Sequence, residues 1–260
     1  MIRFRFGLTP LAEVEPWGAG RELHWFGLTD GWYGIDAGGH ELLRYSERTV
    51  RELRGEGERD GRGAPHPYVE YYVVRLWEDL LALVSGAMEP VPPDLVGIAA
   101  EVEQEWPHLD TVETPEADAA LTWHGAGYLY TGYLRIAPAV RLWRTVVGDD
   151  DTVTVAWRHE PDPEGVIEFT GPRTGRVTVP TSAFVAAVAE LDRALLAAMD
   201  QRIAELAEFG AASDVRLDVE QLRRDHHERA RRLPRALAHA PRTDWDAVRT
   251  GLRALLGRTP

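Results

Sequence analysis

The sequence predicts an α+β fold: two antiparallel β-meanders, each followed by amphipathic helices, with one long helix over 181–209 and a helical C-terminus. Three observations predict it. Short β-rich runs separated by tight-turn residues fall into two groups along the chain. Each group is followed by segments whose apolar residues recur every three or four positions. Finally, Phe184, Val188, Leu191, Leu195, Met199, Ile203 and Leu206 form one stripe about seven turns long. Such a stripe needs a sheet or other helices to cover it. Strands then helices, twice over, argues for segregated elements and against a parallel α/β sheet. The repeated layout suggests a division into 1–108 and 109–260, with one continuous domain as the alternative.

The elements follow in order. Met1-Ile-Arg-Phe-Arg-Phe6 alternates as a strand does and lacks the apolar core of a signal peptide. Runs at 23–28, 32–36 and 41–45 complete the first meander, with Asp30-Gly31 and Gly38-Gly39 suited to tight turns. Residues 48–66 read as a charged loop; its Gly55, Gly57, Gly61 and Gly63 do not match a phosphate-cradling spacing. Over 68–85, Val69, Tyr72, Val73, Leu76, Leu80, Leu83 and Val84 share a helical face, and Gly86 stands where a helix would stop. After Pro90, Pro92 and Pro93, Asp94 can cap a short helix towards 105, and Thr114-Pro-Glu116 can start another that ends near His124.

The second meander comprises 140–145 and 152–158, joined through Val147-Gly-Asp-Asp-Asp151, then 166–170 and 176–179. Pro180 ends the sheet, and the Thr181 hydroxyl can cap the long helix. Asp218-Val-Glu-Gln221 resembles a capping box, Pro234 should interrupt its helix, and Thr243-Asp-Trp-Asp246 opens the last one.

At 260 residues and 44% hydrophobic, the chain can bury a sizeable core. No apolar run approaches the roughly 18 residues of a membrane span, so a cytoplasmic location is expected. The chain has no cysteine, which excludes disulfides, thiolate metal sites and cysteine nucleophiles. It also has no lysine, since all 29 Lys plus Arg are arginine, which removes the phosphate-loop lysine and Schiff-base chemistry. No motif implies a cofactor. The net charge of −13 is uneven: 216–260 carries eleven Arg against six acids, and the rest is strongly acidic. An acidic body disfavours duplex nucleic acid and suits a basic protein partner, unless the basic C-terminal helices simply neutralise it.

Catalytic constellations are sparse. The four serines, at 46, 85, 182 and 213, do not sit in a nucleophile elbow. His108-Leu-Asp110 with His159 has the spacing of a facial triad, but His108 follows a helical segment where strand-borne ligands are needed, and no metal site is expected. The most suggestive feature is aromatic. Trp25, Trp32, Tyr33, Trp123, Tyr128 and Tyr130 crowd into two stretches and are the candidate binding residues, with Asp30, His40 and His124 as candidate proton carriers. Clustered aromatics equally fill the core where sheet meets helix, and Asp30 is equally a turn residue.

His24-Trp-Phe-Gly-Leu-Thr-Asp-Gly-Trp-Tyr33, Arg75-Leu-Trp-Glu-Asp-Leu80, Thr131-Gly-Tyr-Leu134, Arg173-Thr-Gly-Arg-Val-Thr-Val-Pro180 and Thr243-Asp-Trp245 span nearly the whole chain. Together they resemble an uncharacterised full-length family of soluble proteins from high-GC Gram-positive (actinobacterial) bacteria. The resemblance implies a bacterial, cytoplasmic protein and carries no activity, cofactor or catalytic residue. Gly34 departs from the bulky aromatic expected after Trp32-Tyr33, which argues against a strict binding motif there.

Two functional readings follow. The first is a non-enzymatic acidic module that binds a basic protein, in the manner of a toxin-neutralising immunity protein. The alternative is an enzyme or ligand-binding protein with an aromatic-lined pocket for a small molecule.

Overall fold

The computed structural model describes residues 1–54, 66–102, 105–239 and 241–257. The N-terminal half holds β1 (Ile2–Leu8), β2 (Glu22–Leu23), β3 (Gly31–Ala37), β4 (His40–Glu41), α1 (Glu47–Arg54) and β5 (Val69–Glu70). Three helices follow: α2 (Val73–Ala87), α3 (Val96–Ala100) and α4 (Pro115–Ala126). Then come β6 (Ala139–Val147), β7 (Asp150–Arg158), β8 (Thr174–Pro180) and the long α5 (Thr181–Phe209). The chain finishes with β9 (Arg216–Leu217), α6 (Val219–Arg229), α7 (Arg232–Ala238) and α8 (Trp245–Leu256). The α+β class and the helical C-terminus hold. Among the described residues no helix is long and apolar enough to cross a membrane.

The meanders form separate sheets. In the first, β1 runs antiparallel to β3 from Ile2↔Ala37 to Leu8↔Gly31, while β4 and β5 pair with opposite ends of β3. In the second, β6, β7 and β8 are consecutive antiparallel neighbours, turning through Gly148 at positive φ. A short parallel pairing of β2 with β9 ties the N-terminal half to the segment after α5.

Several expected elements are shorter than the pattern suggested. The run at 23–28 leaves only the two residues of β2 and then a single helical turn over Gly27–Thr29. The helix expected from 68 begins at Val73, because Val69–Glu70 is taken up as β5 beside Trp32 and Tyr33. Residues 48–54 of the expected loop are helical in α1, and the glycines at 55–63 lie outside the described residues. The strand expected at 166–170 does not form. Asp162 carboxylate oxygens accept the N–H groups of Glu164, Val166 and Ile167, and the buried Thr49 hydroxyl accepts from Glu168 N–H at 2.8 Å. Side chains have satisfied backbone groups that a ladder would otherwise pair. Thr181 does not cap α5 either: Pro180 occupies that position, and the Thr181 hydroxyl donates to Asp151 at 2.6 Å.

The α5 stripe is buried from Phe184 to Leu206, in a core shared with β1, β3, α2 and one face of the second sheet. A second core lies on the sheet's opposite face, built from α3, α4 and α8 with Trp143 and Ala156. The α4 and α8 helices come into close contact at Gly251, where an added Cβ would fall 1.9 Å from the Glu116 carbonyl oxygen. Gly251→Ala is therefore expected to lower stability by about 2 kcal/mol, the cost of overpacking exceeding alanine's better helix propensity. Urea denaturation measures this; an unchanged midpoint would show that the helices separate freely.

Candidate functional site

The site begins with the period-two alternation of β6. Val140 and Leu142 point into the principal core, and the intervening Arg141 and Trp143 point to the other face. Two capped helices approach that face. The Thr114 hydroxyl accepts from Ala117 N–H at 3.1 Å, with Pro115 at the first position of α4. The Asp244 carboxylate accepts from Ala247 N–H at 3.0 Å and starts α8. With the C-terminal end of α2, these elements enclose a cavity of about 460 Å³, within the range of small-molecule sites. Its walls include Leu83, Ala119, Trp123, Trp143 and Trp245, with Trp123 edge-on to Trp245 at 5.9 Å between centroids.

Arg141 also lines the cavity and is only 2% exposed. Its Nη1 meets His124 Nε2 and donates to Tyr128 Oη at 3.1 Å and, more weakly, to the Glu101 carbonyl at 3.3 Å. The guanidinium carbon stands 4.8 Å from the Tyr128 ring centroid and 5.9 Å from that of Trp123. No carboxylate pairs with it among the described residues. Burial pulls its pKa below the usual arginine value. His124, 6% exposed, is pushed down to about 3 by burial and by the adjacent Arg141 charge. The imidazole is thus neutral and free to accept from the guanidinium.

A segment before α8 is tethered across one side of the cavity. Ser85 Oγ donates to the His239 carbonyl at 2.7 Å. The Glu89 carboxylate accepts both the N–H of Thr243, at 3.0 Å, and its hydroxyl, at 2.6 Å. Arg144 is already neutralised, because Nε and Nη2 grip Asp151 at 2.7 and 2.8 Å while Nη1 donates to the Met88 carbonyl.

The candidates from sequence are distributed over several neighbourhoods. Trp123 lines the cavity, and His124 and Tyr128 hold Arg141 beside it. Trp25 is buried, with its Nε1 donating to His226 Nδ1 at 3.3 Å and Arg229 over its ring. Trp32 stacks on Tyr68 on the first sheet, Tyr33 is fully buried, and Tyr130 is 65% exposed. Asp30 accepts from the Thr9 hydroxyl, and His40 is exposed beside Trp157, so Asp30, His40 and His124 are not brought together. His108 packs against Gly257 while His159 is buried against Phe169, and no metal-binding cluster of His, Asp or Glu occurs among the described residues. Sequence reasoning missed Arg141, Trp143 and Trp245 as site residues. The available signal was an arginine inside the β-rich run 140–145, which becomes a buried charge only once both sheet faces are covered.

The chain belongs to a family of unknown function, DUF5984, whose model matches residues 3–251. No curated protein and no solved structure matches it.

Native His124 resists protonation down to about pH 3, whereas an unfolded histidine takes a proton below about pH 6.5. Stability from this site is therefore full above that upper value and is lost as pH falls towards the lower one. His159, pushed down to about 4 by burial, acts in the same direction. His124→Gln keeps an acceptor for Arg141 but removes the titration. Its stability should fall less steeply between about pH 6 and 4, by up to roughly 1.4 kcal/mol per pH unit. Denaturant titrations across that range check this; an unchanged slope would mean that His124 is already protonated in the native protein.

Proposed function

We propose that this protein binds a small organic molecule in the cavity between α2, α4, β6 and α8. The observation that carries the reading is a cavity of about 460 Å³ walled by Trp123, Trp143 and Trp245 and reached by a buried arginine with no carboxylate partner among the described residues. Apolar walls favour a ligand body through the area they remove from water, and the few polar groups would fix its orientation. Of the three proton carriers the sequence offered, Asp30 and His40 lie away from the cavity, and binding is the reading the cavity supports directly.

A second reading rests on charge. The net charge of −13 supports docking of a basic protein, including a toxin that this chain would neutralise. Part of the C-terminal arginine surplus is spent on the body, through Arg232–Glu78 at 2.7 Å and Arg249–Asp94 at 2.7 Å. The same arginine-only, lysine-free composition supports an origin in a high-GC bacterium. A low-salt pull-down from a cognate extract that retains no basic protein would count against the partner reading.

The cavity reading is tested with the neutral fluorophore N-phenylnaphthylamine. It should bind saturably, with quenching of tryptophan emission, and Ala119→Phe should weaken binding about tenfold by filling the space the ligand needs. Binding that is absent, or indifferent to the substitution, would overturn the cavity as the site.

A further inference from the structure

We propose that the ligand is a monocarboxylate with a flat or branched apolar body, its carboxylate paired with Arg141. This rests on the reading of the cavity as a ligand site and adds the chemical class of what fills it.

The argument starts from what a buried guanidinium requires. An arginine removed from water is costly unless its charge is matched and its donors are satisfied. Arg202, the other deeply buried arginine among the described residues, has its needs met. Its Nη1 donates to the Leu28 carbonyl at 2.7 Å, its Nη2 to the Thr9 carbonyl, and Asp30 supplies a nearby negative charge. Among the described residues Arg141 has no such arrangement. Its three hydrogen bonds to them all leave from Nη1, towards a neutral imidazole, a phenol and a carbonyl. Among the described residues its Nε is sealed without an acceptor beside Gly127, and its Nη2 makes no hydrogen bond yet is not sealed. The unspent charge and the free donor therefore belong to a residue that faces the cavity.

The rest of the cavity limits the anion. Arg144 is neutralised by Asp151, so it adds no net charge for a second negative group. The acidic residues Glu89, Asp118 and Asp244 also border the cavity and would repel a dianion. The three acidic residues count against a dianion such as phosphate, so an anion is accepted only as a single charge placed directly on Arg141. The three tryptophans then select a body that is apolar and preferably flat. A carboxylate against a buried guanidinium forms charge-assisted hydrogen bonds, the stronger kind.

The test compares naphthylacetate with its neutral isostere naphthylacetamide on the full chain, each displacing N-phenylnaphthylamine. The acid should bind about tenfold or more tightly than the amide, as expected for a charge-assisted contact. Arg141→Met should abolish that preference, so that acid and amide displace the fluorophore equally. Equal binding of acid and amide by the wild-type protein would overturn the carboxylate assignment while leaving the cavity as a site. So would a preference that survives Arg141→Met, or an acid that fails to displace a fluorophore that does bind. Should Arg141→Met not fold, the wild-type ratio of acid to amide decides the matter. Loss of fluorophore binding itself would instead remove the cavity reading on which the assignment stands.

Discussion

The constraint on which the rest depends is that β6 is buried on both faces. A strand sends successive side chains to opposite sides, so a strand covered on one face can place every second residue in water. Here Val140 and Leu142 are held by α5 and the principal core, and α4 and α8 close over Arg141 and Trp143. Closing the second face has two results at once. It creates a separate small core around Leu252 and Leu255, and it traps an arginine where solvent would otherwise have neutralised its field. The long helix, often the natural spine of such a fold, serves one face of this sheet. The site belongs to the other.

Much of the fold was legible because it rests on local rules. The α5 stripe, the β6–β7 hairpin and the Asp218 cap are periodicity or capping signals present where those rules place them, while the last helix starts one residue on, at Asp244, because Thr243 is bonded to Glu89. The misreadings share a cause. At 166–170 the composition favours a strand, but Asp162 and the distant Thr49 take its backbone donors. At Thr181 the hydroxyl is a competent cap, but Asp151, fixed by Arg144, offers it a charged acceptor. Asp162 is a local competitor that a sequence window displays, whereas Thr49 and Asp151 are brought close by tertiary folding and no window displays them.

The site was legible only in part. Trp123, His124 and Tyr128 drew attention because aromatics and histidines crowd one stretch, and they do gather around the cavity edge. The matching crowd at Trp25, Trp32 and Tyr33 instead packs the first sheet and the contact with α6, for which the same residue types serve equally well. Arg141 was invisible because its meaning depends on coverage. In a chain whose basic residues are all arginine, an arginine in a strand carries no signal until the helices above it are placed.

Gly251 bears on how anything could enter or leave. At that residue α4 and α8 approach backbone to backbone, which fixes the spacing of the two helices that carry Trp123 and Trp245 into the cavity wall. The opposite side hangs on the Glu89 carboxylate and its two bonds to Thr243, groups that can part without disturbing a core. Traffic through the cavity would then be timed by how often that tether releases. On the proposed reading of the cavity, ligand exchange would depend on Glu89, a different residue from the arginine that would set affinity.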